Sequence, residues 1–194
     1  TDAYRYSWAG RVLIAGGNPY RSAPDAPELA WLRTPQDSRV NNPGLTTIYP
    51  PLALAAFRTA AALSGDVRAA KAFFSLVDLI CCVLLLRLLG RRGLSPAWAA
   101  LYAWHPLVAV EFSAAGHLDS LMILGLLGGI ELWETERRNA AALTWAAAAL
   151  VKAVPVVVLP WLILRRPRAA LLFVAAVAGG LLPIASELAE AAAR

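Results

Sequence analysis

The sequence predicts an all-α fold: a polytopic transmembrane helical bundle preceded by an extracytoplasmic loop. Three observations predict it. Hydrophobic residues make up 59% of the 194 residues and charged residues only 16%, where a soluble domain carries about 25% charged residues. The mean hydropathy is +0.56. The basic residues gather in short segments between apolar runs, as in "RLLGRRG" (87–93), "ERR" (136–138) and "RRPR" (165–168). That pattern is the signature of cytoplasmic membrane loops, so the net charge of +5 and pI near 9.7 mark membrane anchoring rather than a nucleic-acid partner.

The chain opens on "DAYRYSWAGRVLIAGGNPYR", a polar and aromatic stretch. Residues 4–15 have the pattern of a short amphipathic helix stopped by Gly16-Gly17. Such a helix lies at the interface, with Tyr4, Tyr6 and Trp8 at headgroup level. Residues 18–50 carry many prolines and no period, so 1–50 reads as a loop domain with an interfacial helix and 51–194 as the bundle. Neither end looks native. The polar start fits a fragment missing helices at both ends, with at least one before Thr1.

Residues 50–65 are apolar but too short to span and contain Arg58, since a span needs about 20 residues. Residues 69–90 are long enough. Residues 96–113 and 118–134 each read as a span, and 169–186, wholly uncharged, as the last. Residues 139–164 are interrupted by Lys152, Pro155 and Pro160. Keeping all three basic segments on one side requires 139–164 to enter and leave on the same side, as two short helices meeting near Lys152; one straight span is the alternative. Residues 1–50 and 111–119 then share the opposite, outer side. Cys81 and Cys82 are neighbours in an apolar run, which suits neither a disulfide nor a tetrahedral metal site.

Under this topology Asp2, Arg5, Arg68, Lys71, His117, Asp119 and Lys152 converge on the outer face. Each alone has a plain reading. Asp2 is a solvated acid, Arg68 and Lys71 are interfacial anchors, and Asp119 caps the helix behind the Gly116 turn. Lys152 is harder to dismiss, being the only charge between Asn139 and Leu164. Asp78 reads as an ion-pair partner for Lys71, two turns away on one face. His105 reads as a packing residue, and Glu111 equally as a site acid or an interface acid. A carboxylate can act as general base toward a hydroxyl, and Arg and Lys can hold a phosphate. Together these suit transfer of a sugar from a lipid-linked phosphate to an acceptor hydroxyl, with Tyr4, Tyr6, Trp8 and Tyr49 available to stack on sugar or lipid.

"TIYPPLA", "RRGLSPAWAALYAWHPL", "EFSAAGHLDSL" and "VKAVPVVVLP" follow the opening stretch in an order that resembles the GT-C fold polyprenyl-phosphate-mannose-type glycosyltransferases of the GT87/DUF2029 family. A more distant similarity runs to the GPI mannosyltransferase I catalytic subunit. The resemblance implies inverting transfer of mannose by a multi-pass plasma-membrane enzyme whose site is extracytoplasmic. It implies Asp2 as the catalytic acid residue, a polyprenyl-phosphate sugar as donor and a glycan or glycolipid as acceptor. Arg5, Tyr6, Tyr49, Arg68, Lys71, His117, Asp119 and Lys152 are the candidate substrate-binding residues. No metal-ligand set is assigned and the need for a divalent metal is open. Members of the family often carry an acid where this chain has Ala9. A transporter or flippase lined by Lys152 and Asp78 is the competing class; a structural subunit would leave the clustered polar residues unexplained.

Overall fold

The computed structural model describes residues 2–192, and every regular element among them is helical. The α-helices are α1 (Ala3–Ile14), α2 (Pro51–Leu63), α3 (Val67–Arg91), α4 (Ala100–Ala103), α5 (Pro106–Val108), α6 (Asp119–Glu134), α7 (Arg138–Ala149), α8 (Leu159–Arg165), α9 (Pro167–Leu181) and α10 (Ala185–Ala192). At 1.5 Å per residue the 25-residue α3 is about 37 Å long and sets the height of the bundle.

α1 stops where its glycines require. Gly16 takes φ +81°, and the Gly17 N–H returns to the Val12 carbonyl at 2.9 Å, a helix-end closure that a side chain at Gly16 would strain. The helix is not exposed at an interface. Tyr6 and Trp8 are 1% and 2% exposed, so the expected headgroup position is corrected. The reason is that both faces of α1 are covered. Tyr6 stacks on Phe57 of α2 at 4.2 Å, and Trp8 packs with Val12 beneath Leu29 and Val40 of the loop. Gly10 allows the close crossing, because a Cβ there would enter the Phe57 carbonyl.

The loop over residues 18–50 is folded. Two 3-10 turns, Pro27–Leu32 and Pro35–Arg39, each begin on a proline, whose fixed φ suits a first helical position. Thr34 and Asp37 reciprocally cap the second. Arg11 clasps both Asp37 oxygens at 2.6 Å, with the two side chains only 11% and 6% exposed. The Gly65 carbonyl accepts from Ser7 Oγ, Arg11 Nη1 and Gln36 Nε2, each at 2.8 Å. These bonds fasten the loop to α1 and to the α2–α3 corner.

Residues 96–113 do not form the expected single span. Pro96 and Pro106 each start a new turn, since proline donates no N–H to a preceding one. The segment climbs beside α3 as a 3-10 turn, α4, α5 and a π-helical turn, Ala109–Ala114. Its Tyr102 hydroxyl donates to Asp78 at 2.6 Å. Asp78 therefore serves Tyr102, and Lys71 turns instead to the Ala114 carbonyl. Residues 139–164 do break. α7 ends before Lys152, Pro155 sits in a 3-10 turn (Val154–Val158), and α8 returns so that Trp161 lies 4.5 Å from Trp133 and 5.9 Å from Trp145.

Two apolar clusters hold this together. One joins α1, α2, α3 and α6 through Tyr6, Phe57, Phe74, Leu118 and Met122. The other joins α7, α8 and α9 through Ala142, Trp145, Ala146, Leu162, Ala170 and Phe173. The bundle has two distinct ends. Asp2, Lys71, Asp119 and Lys152 lie at the loop end, and Arg87, Arg91, Arg92, Trp133, Arg138 and Trp161 at the basic end. α3 and Pro167–Glu187 are long and apolar enough to cross a membrane. A third such span exists if Pro106–Ala114 and Asp119–Glu134, bent by 117°, count as one. With its apolar composition this makes the chain a membrane protein.

Candidate active site at the loop end

Asp2 precedes α1, and its carbonyl accepts from the Tyr6 N–H at 3.0 Å. Its side chain is aimed by the loop, because Asn41 Nδ2 donates to Asp2 Oδ1 at 2.8 Å. Arg5 stands behind that bond. Its guanidinium donates to the carbonyls of Asn41, Asn42 and Leu45 and to Asn41 Oδ1, with Asn42 held at φ +45°. Burial lowers the Arg5 pKa, opposed by the nearby Tyr49 and Asp2. The geometry makes Arg5 the clamp of the turn that aims Asp2.

The second acid comes from α6. Asp119 Oδ1 is 2.5 Å from Lys152 Nζ, with side chains 23% and 46% exposed. Lys152 is carried by the unwound turn between α7 and α8, which the Leu52 N–H fixes to the start of α2 through the Leu150 carbonyl at 3.1 Å. The two acids bear on one group. Burial first, then the adjacent Tyr49, then the charges of Asp2 and Asp119, push the Tyr6 pKa upward. Tyr49 meets Tyr6 edge-on at 5.3 Å, and burial raises its pKa too.

Gly116 brings the third segment of the site into place. Its φ of +75° turns the chain, and a Cβ there would lie 2.7 Å from Lys71 Cγ and 3.3 Å from Ala3 Cβ. Only glycine lets the His117–Asp119 turn press so close to α1 and α3. Lys71 Nζ then donates to the Ala114 carbonyl at 2.6 Å, and His117 Nε2 lies 3.6 Å from Glu111 Oε2. Glu111, His117, Asp119 and Lys152 share a cleft of about 390 Å³ with Phe112, Met122 and Ile123.

The structure thus gathers Asp2, Arg5, Tyr6, Tyr49, Lys71, His117, Asp119 and Lys152 at one end. Arg68 is exposed and joins no ion pair among the described residues. His105 caps α5 through Nδ1, which accepts from the Leu107 N–H at 3.2 Å. Ala9 is buried in the Tyr6–Phe57 core, where a carboxylate would be desolvated. Among the described residues no three His, Cys, Asp or Glu side chains are placed to hold a metal ion. Asn41, which aims Asp2, is absent from the sequence reading because nothing local links it to a residue 39 positions away.

An acid aimed by a folded loop, a lysine–aspartate pair and a second lysine stand at one end of a bundle of apolar helices, the arrangement of a membrane protein with a polar cleft at that end. The family model described as alpha-(1->6)-mannopyranosyltransferase, N-terminal domain, matches residues 1–168, and the chain belongs to this MptA_B family. It is thereby a member of a family of glycosyltransferase enzymes. No curated protein matches the chain. No solved structure matches it.

Proposed function

We propose that the chain forms part of an inverting mannosyltransferase of GT-C type that moves mannose from a polyprenyl-phosphate donor to an acceptor hydroxyl. The site works on the extracytoplasmic face of the plasma membrane, and the acceptor is a glycan or glycolipid. The supporting observation is the cleft shared by Glu111, His117, Asp119 and Lys152 at the end of the bundle where Asn41 aims Asp2. The mannosyltransferase family supports mannose as the sugar, and the resemblance in motif order is the ground for the donor class.

In this mechanism one Asp2 oxygen stays on Asn41 and the other takes the acceptor proton. The acceptor oxygen attacks the anomeric carbon, forming the new glycosidic bond as the carbon–oxygen bond to phosphate breaks on the opposite face. Configuration inverts in a single displacement, as in inverting glycosidases with the acceptor in place of water. Lys152 and Lys71 neutralise the departing phosphate, with Arg68 at the rim. Asp119 holds Lys152 until the donor arrives, and His117 lines the cleft beside it. A transporter would draw on the same polar residues, and the family match lends it no support.

The test is transfer of radiolabel from polyprenyl-phosphate mannose in membranes by the full-length protein, wild type against Asp2→Asn. Label reaching acceptor with wild type alone supports the reading. Full turnover by Asp2→Asn removes Asp2 as the base. Failure of both, with expression and membrane insertion verified, removes the donor assignment.

A further inference from the structure

The basic end carries a feature that the transfer reaction does not use. A slot of about 360 Å³ opens between α6, α7 and α8, walled by Ile130, Trp133, Trp145, Val158 and Trp161 and rimmed by the Arg92–Glu134 pair. Trp145 is 3% exposed and its indole N–H donates to the Leu126 carbonyl at 3.1 Å, so that wall is fixed. Trp161 is 40% exposed and forms the open side.

Charge in the segments at this end of the bundle is one-sided. Eight arginines (87, 91, 92, 137, 138, 165, 166 and 168) stand against three glutamates (131, 134 and 136), an excess equal to the net charge of the whole chain. The glutamates are spoken for, since Glu131 pairs with Arg87 and Arg91, Glu134 with Arg92, and Glu136 with Arg138. Arg165, Arg166 and Arg168 have no ion pair among the described residues. Arg165 follows Trp161 by one helical turn on the same face of α8.

We infer that this slot is a binding site for an anionic glycerophospholipid. An acyl chain fills the Trp and aliphatic slot, and the headgroup phosphate lies on Arg165 and the free Nη1 of Arg92. Charge complementarity selects this occupant, because a basic rim over an apolar, aromatic-walled slot between membrane helices fits an anionic headgroup with its chain attached. A zwitterionic lipid would bring its own cation toward the unpaired arginines.

The test uses the full-length protein in phosphatidylcholine vesicles doped with equal small fractions of brominated phosphatidylglycerol or brominated phosphatidylcholine. Tryptophan fluorescence is the readout. The anionic lipid should quench more strongly than the zwitterionic one, and Trp161→Leu should reduce that excess, leaving the share that Trp133 and Trp145 carry. Arg165→Gln, at an exposed position that keeps the fold, should weaken the anionic lipid's apparent affinity roughly five-fold, while Arg21→Gln at the loop end leaves it unchanged. Equal quenching by the two lipids overturns the inference. So do equal effects of Arg165→Gln and Arg21→Gln, which would mean diffuse surface attraction. Complete competition by soluble glycerol phosphate also overturns it, because the site would then take a phosphate without a chain.

Discussion

Replacing Arg11 by Ala tests whether the folded loop holds the site together. Arg11 contacts both oxygens of Asp37, a pair almost closed to solvent, and also reaches the Gly65 carbonyl and Ser7 Oγ. Removing it leaves Asp37 buried with only the Thr34 N–H and hydroxyl for support. Breaking one side of a buried pair costs about 3–5 kcal/mol. Taken as local opening of the loop, that raises the open population by about two to four orders of magnitude. The assay is limited trypsin digestion at Arg21, Arg33 and Arg39 in the full-length protein, read with mannosyl transfer. Cleavage should accelerate steeply and transfer should fall, because Asn41 leaves Asp2 when the loop opens. Arg11→Met with Asp37→Leu, which leaves no buried charge, should recover most of the resistance. Unchanged cleavage in Arg11→Ala would refute the clasp, and equal cleavage in the single and double variants would refute its electrostatic origin.

Four further outcomes are expected. Lys152→Ala should raise the donor KM more than it lowers kcat in steady-state transfer assays, since its cation serves donor binding in the proposed site. Gly116→Ala should depress transfer while retaining thermal stability to within about 1–3 kcal/mol, through the clash with Lys71 and strain at positive φ; activity assays and melting curves separate the two effects. Gly129→Ala should destabilise the bundle by about 1–3 kcal/mol or more, because its Cβ would overlap the Trp145 indole, and thermal unfolding in detergent reads this. The Tyr20 hydroxyl, which donates to the Tyr49 carbonyl, is pushed up to about 12, by burial first and Glu187 second. The raised folded value favours the protonated form. Its contribution is therefore full below about pH 10, the unfolded value, and fades as pH rises through about 12. Comparing melting of wild type and Tyr20→Phe across that range should show the advantage of wild type vanishing.

How far the sequence spoke depended on the range of the interactions. The end of α1 was readable from Gly16-Gly17, and the break near Lys152 from two prolines and a charge in an apolar run, because each signal is local. The single span expected over 96–113 does not form, because Pro96 and Pro106 each interrupt the helical hydrogen bonding, an effect that hydropathy does not register. Trp8 and Tyr6 looked interfacial because an amphipathic helix alone cannot reveal that a loop will cover its other face. Within 18–50, read only as a proline-rich loop, the Thr34–Asp37 cap is a local feature that the reading passed over, whereas Arg11 choosing Asp37 26 residues away has no local signal at all. For the same reason Lys152 and Asp119 were picked out separately, but their ion pair awaited the fold.

The clasp of the loop has an acceptor that substitution cannot delete. Gly65 contributes its main-chain carbonyl, which every residue at that position would carry, and three side chains from two distant segments converge on it. Genetic variation can therefore erode the donors only one at a time. Loss of Ser7 or Gln36 leaves two bonds in place, and only an insertion or deletion at the α2–α3 corner moves the anchor itself. The corner should thus tolerate changes of residue type that fit beside Arg11 and resist changes of length.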